Sequence, residues 1–156
     1  MIIKIQMPAG KSIEPAFTEF EQPDEGNVKR QVWLDATSFS HTLKECFENA
    51  AYAMMDQIVD ASSARLIEEV GIAVEGADLE ELLYNFLSEV LFIFDAKGLV
   101  LGRFDVALLE NRLECKAWGE EYDPEKHSPK SEIKAVTYHE LQVNEDEPSI
   151  TVLFDV

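Results

Sequence analysis

The stretch DLEELLYNFLSEVLFIFDAKG (78–98) constrains the fold of this chain more than any other. Leu79, Leu82, Leu83, Phe86, Leu87, Val90, Leu91 and Phe94 recur at the i, i+3, i+4 spacing of one helical face. A stripe this wide has to be buried against a second layer. Asp78 with Glu81 three residues on marks the start of the helix, and Lys97-Gly98 marks its end. Earlier, Thr42 and Glu45 have the same capping spacing. Behind them Leu43, Phe47, Ala50, Ala51, Met54, Met55 and Ile58 form a second apolar stripe.

Around the two helices the periodicity changes from 3.6 to 2. VKRQVWLDA (28–36) alternates Val28, Arg30, Val32, Leu34 and Ala36, and RLIEEVGIAVEG (65–76) alternates Val70, Ile72 and Val74. Four more strands are expected at 99–110, 112–120, 132–144 and 149–156, with Asn111 turning the first pair and NEDEP the last. The resulting order, β-α-β-α-β-β-β-β, predicts an α+β domain over 28–156, with two helices on one face of a mixed sheet. Residues 1–27 read differently. Ile2, Ile3 and Ile5 open a short strand, but Pro8, Gly10, Pro15, Pro23 and Gly26 interrupt the pattern, predicting an irregular N-terminal arm.

At 156 residues and 46% hydrophobic composition, the chain is expected to bury one core. Apolar runs such as LFIF (91–94) are far short of the ~18 residues of a membrane helix. MIIKIQMPAGKS shows no signal-peptide pattern, so a cytoplasmic protein with reduced, buried Cys46 and Cys115 is expected. Thirty-one acidic against thirteen basic residues give a net charge of −18. Such a surface repels phosphate backbones, which argues against direct nucleic-acid binding, and it suits metal cations or a basic protein partner.

Chemistry-bearing residues are few. There is no G-x-S-x-G, no glycine-rich phosphate loop and no zinc-type Cys–His spacing. Asp123 with Glu120, or Asp56 with Asp60, is no better an acid–base pair than other carboxylates here. His127 lies in the charged loop EEYDPEKHSPKSE (120–132), where a solvated side chain is the ordinary outcome. In SEIKAVTYHE (131–140), alternation puts Glu132, Lys134, Val136 and Tyr138 on one face, and Thr137 and His139 on the other. Two readings of Lys134 are open: a snorkelling edge residue, or a fixed cation facing a carboxylate or ligand. The tail also has two readings. Asp155 and the Val156 carboxylate are either solvated, or are two close anions reconciled by an oxygen-ligated cation.

The segments TLKECFENAAYAM (42–54), DLEELLYNFLSEVLFIFDAKGLV (78–100), GEEYDPEKH (119–127), EIKAVTYHEL (132–141) and the final FDV (154–156) together resemble the archease family over about residues 38–156. The glycine-glutamate loop followed by K-A-[VI]-T-Y is the most specific part. The resemblance implies a small α+β accessory protein without catalysis of its own. Its partner would be an RtcB-type RNA ligase of tRNA splicing, whose guanylylation and turnover it promotes. It also implies a partner-activating role for Lys134 and Asp155. A divalent metal, calcium-like, would be held by Asp155, Val156 and an aspartate of an N-terminal H-T-A-D motif.

That motif is absent. An ungapped alignment puts its positions on Arg30, Gln31, Val32 and Trp33; a gapped one puts Asn27 where the aspartate belongs, with Asp24 close by. Asn27 retains a carbonyl ligand without the charge, and Asp24, Glu25 or Asp35 could substitute. The alternative is a divergent archease-fold binding or chaperone-like module without metal or ligase activation. A carboxylate-pair hydrolase using His127 is the weakest reading.

Overall fold

The computed structural model describes residues 42–156 throughout. Before them it describes the backbone of three strands, β1 (Ile2–Gln6), β2 (Pro15–Asp24) and β3 (Asn27–Ala36). Helix α1 (Leu43–Ile58) follows, then a 3-10 turn (Ala61–Ser63), β4 (Glu68–Glu75) and α2 (Leu79–Lys97). The chain continues through β5 (Leu99–Leu108), β6 (Arg112–Glu121), the short helix α3 (Pro124–His127), β7 (Ala135–Asn144) and β8 (Ser149–Asp155). From β3 onward this is the α+β order expected from the sequence.

Two expectations are corrected. Pro15–Asp24 is a strand, paired with β3 from Pro15↔Ala36 to Asp24↔Asn27, and β1 pairs with β8. The residues 1–27 are therefore not an irregular arm at those positions. Pro15 and Pro23 sit at the limits of β2, where a missing N–H interrupts no central ladder. Pro8, Gly10 and Gly26 lie outside the described residues. The sheet is also not mixed: among the described ladders, β1-β8-β7, β2-β3 and β4-β6-β5, every pairing is antiparallel.

Both expected caps form. Thr42 Oγ1 accepts from the Glu45 N–H at 3.3 Å, and Asp78 Oδ1 accepts from the Glu81 N–H at 2.8 Å. Glu81 Oε2 returns the contact to the Ala77 N–H at 2.6 Å. Gly98, at φ 64°, closes α2 in the left-handed region, its N–H donating to the Phe94 carbonyl at 2.9 Å. Helix α1 packs across β5, and α2 across β7 and β4. Between them Phe47, Met54, Met55, Leu83, Phe86 and Leu101 are fully buried. Phe86 stacks on Phe47 and meets Phe104 edge-on, with centroids 6.5 and 6.3 Å apart. Cys46 and Cys115 are free and buried, and burial pushes the Cys115 thiol up to about 12. No described helix is long and apolar enough to cross a membrane.

Candidate functional site

The segment 131–140 does not run as one strand. Ala135, Val136 and Thr137 pair with Asp155, Phe154 and Leu153, and pairing resumes only at Gln142↔Thr151. Four residues, 138–141, therefore face Val152 alone, which is a wide bulge. Tyr138, His139 and Glu140 are turned out to solvent while Leu141 returns to the core. Glu140 sits at φ 57°, a left-handed conformation unusual for a residue with a Cβ. Past Thr137 the alternating faces expected from the sequence are lost. Thr137 is used locally, its hydroxyl donating to the Leu153 carbonyl at 3.0 Å. Tyr138 leans on Tyr84 of α2, with ring centroids 5.3 Å apart.

The chain's tail does lie beside position 134. The Lys134 N–H donates to the Asp155 carbonyl at 2.7 Å, the bond that leads into β7. Contact between the two residues is through the backbone. Among the described residues neither the Lys134 ammonium nor the Asp155 carboxylate forms an ion pair, and both side chains are exposed. Asp24 and Asn27 face each other as the last pair of the β2-β3 ladder, but their side chains lie outside the described residues. Asp155 offers anionic oxygens of the right chemistry for calcium, as residue 156 would only if its carboxylate is free. Among the described residues, however, no three His, Cys, Asp or Glu side chains come together to hold a metal. An oxygen cage of 6–8 ligands does not arise from the tail alone.

The charged loop forms the tightest polar arrangement in the described chain. Glu120, 5% exposed at the end of β6, and His127, fully buried in α3, meet with Nε2 to Oε1 at 3.1 Å. The Arg65 backbone N–H and its Nε each donate to a Glu120 oxygen at 2.9 Å, and the Lys126 ammonium donates to Oε1. These donors, the Arg65 amide first and the Lys126 ammonium next, hold the Glu120 carboxyl well below the usual carboxylate range. His127 Nδ1 lies 2.9 Å from the Asp123 backbone nitrogen and 3.1 Å from the Asp123 carbonyl oxygen, so residue 123 holds one ring nitrogen while Nε2 faces Glu120. Tyr122 stacks on the His127 ring at 6.0 Å and meets Phe94 edge-on at 5.6 Å.

His127 is thus a buried connector rather than a solvated loop side chain. The other acid pairs are occupied as well. Asp123 caps α3 through the Glu125 N–H, Asp56 accepts from the Ala61 N–H and Lys130, and Asp60 from Ser62.

The family model described as "Archease protein family (MTH1598/TM1083)" matches residues 34–156. The chain belongs to the archease family. The archease of Pyrococcus furiosus is 46% identical over 109 residues, covering 67% of this chain and 77% of the relative. The archease of Danio rerio is 35% identical over 140 residues, covering 83% and 86%. Among solved structures, the solution structure of Methanobacterium thermoautotrophicum protein 1598 superposes with a TM-score of 0.63 at 35% identity, over 75% of this chain and 87% of that one. The archease match takes in α1 through β8 with the Glu120 cluster, the bulge and the tail. It begins inside β3, so β1, β2, Asp24 and Asn27 lie outside it.

Proposed function

We propose that this archease-family protein is a non-enzymatic accessory factor of an RtcB-type tRNA-splicing RNA ligase, docking on the ligase and promoting its guanylylation and turnover. The reading is carried by the continuity of the family match through residue 156, which takes in Lys134 and the tail bonded to its backbone. Lys134, free of intramolecular carboxylates among the described residues, is the cation presented to the partner, with Asp155 beside it. The Tyr138–Glu140 bulge is exposed further along the chain, in β7. A ligase that holds RNA phosphates is itself basic, so a chain of charge −18 meets it with a complementary field. No step of this reading passes through a metal.

The test is multiple-turnover guanylylation of the cognate ligase. Wild-type protein is expected to raise the rate, and Lys134→Ala or Asp155→Ala to lower that stimulation about ten-fold, or ~1.4 kcal/mol. Stimulation that survives both substitutions refutes the assignment of the site. A second reading, a binding or chaperone-like module, is favoured by the missing H-T-A-D aspartate. It requires a ligase complex that forms with no gain in guanylylation.

A further inference from the structure

We propose that the cleft between the C-terminal ends of α1 and α2 is a receptor for one arginine side chain of the partner protein. The inference rests on the docking reading above and names the chemistry that docking recognises. The cleft has a volume of about 290 Å³, with walls from Ile58, Phe94, Tyr122, Pro129 and Ile133. Small-molecule sites run from ~300 to 1,000 Å³, so this one suits a single side chain rather than a cofactor. Two exposed carboxylates, Asp95 and Glu132, line it as well.

Asp95 is held there against three unfavourable effects. It stands in the last turn of α2, where the helix dipole disfavours an anion. It is partly desolvated, and Glu132 repels it; burial first and that repulsion second raise its carboxyl above its ordinary value. Among the described residues neither Asp95 nor Glu132 has an ion-pair partner. Lys130, on the same cleft, is already bound to Asp56 at 3.0 Å. A cation entering the cleft offsets the helix dipole and the Glu132 repulsion, and supplies the charge partner that a partly desolvated carboxylate lacks.

Arginine fits this environment better than other cations. Its planar guanidinium stacks on aromatic faces such as Tyr122 and Phe94, its stem covers apolar walls, and its fork can bridge two carboxylates. A metal ion finds only two anionic groups among non-ligating walls, and an anion is repelled. The cleft also adjoins the tail site, since Ile133 is followed directly by Lys134, so one partner surface can reach both.

The primary test is an NMR titration of the full chain with N-acetyl-L-arginine amide, against N-acetyl-L-citrulline amide as the neutral isostere. Millimolar arginine amide is expected to shift the amide signals of Asp95, Tyr122 and Glu132, with citrulline at least about five-fold weaker and the Asp95→Asn/Glu132→Gln variant silent. Absent shifts, equal shifts with citrulline, or shifts that persist in the variant overturn the proposal. Ligase binding supplies the second measurement. If the wild-type protein binds, the double variant should raise Kd about ten-fold, and an unchanged Kd overturns the cleft while leaving docking intact. If the ligase does not bind wild-type protein, the docking reading fails and the arginine titration alone decides the cleft.

Discussion

At Glu120 a single carboxylate gathers donors from two parts of the chain, the distant Arg65 amide and guanidinium on one side and the nearby Lys126 and His127 on the other. Because its folded-state pKa is depressed, it stabilises the fold above its ordinary value of 4.5, and that contribution is lost as pH falls below it. Glu120→Gln is therefore expected to lower the urea midpoint at pH 7, with the gap to wild type closing as pH drops from about 5 toward 3. A gap independent of pH in that window would mean that charge is not what Glu120 contributes. The sequence disclosed the loop and its histidine but not their burial, because Arg65 is 55 residues away from Glu120 and no local pattern encodes that meeting. Asp95 left a better signal: an acid in the last turn of a well-marked helix runs against the dipole.

At the scale of elements, both helices were legible in the sequence, α1 from its cap and apolar stripe and α2 from stripe, cap and terminator together. The strands read over 65–76 and 132–144 begin only at Glu68 and Ala135, so Lys134 precedes its strand, and two further departures go beyond shifted limits. The residues read as breakers in 15–24 bracket a strand instead of interrupting it. In β7 the letters continue to alternate while the backbone leaves the ladder, so periodicity alone could not reveal the bulge. The bulge carries the cost of Glu140 in left-handed conformation, about 1–2 kcal/mol for a residue with a Cβ. Glu140→Gly removes most of that cost, and its own entropy loss offsets part of the gain. A rise of about 0.5–1 kcal/mol in denaturant stability is expected; a fall would show that the Glu140 side chain, not its backbone, shapes the turn. Gly119 tells a related story in β6. A Cβ there would collide with the Val100 carbonyl oxygen, so the start of the family's glycine-glutamate string serves packing before any recognition.

For the molecule as a whole, charge is what the sequence states most clearly and the coordinates localise least. Most described cations are spent on neighbours, as in Lys44–Asp105, Arg112–Glu114 and Lys130–Asp56, leaving an excess of unbalanced carboxylates. Association with a basic ligase should consequently be steered over long range. Raising the salt from about 0.05 to about 0.3 M is expected to lower the association rate constant about ten-fold in stopped-flow measurements, with a smaller change in the dissociation rate. A salt-independent association rate would remove electrostatic steering from the account.

The ring contacts Phe94–Tyr122–His127 tie a loop to the end of α2, and amides of 130 and 131 donate to the Ile58 and Gln57 carbonyls at the end of α1. A surface braced from two directions in this way keeps its shape while still empty. A visiting protein would meet finished ground, with little chain left to freeze on contact, so recognition can proceed by rigid collision rather than by folding around the guest.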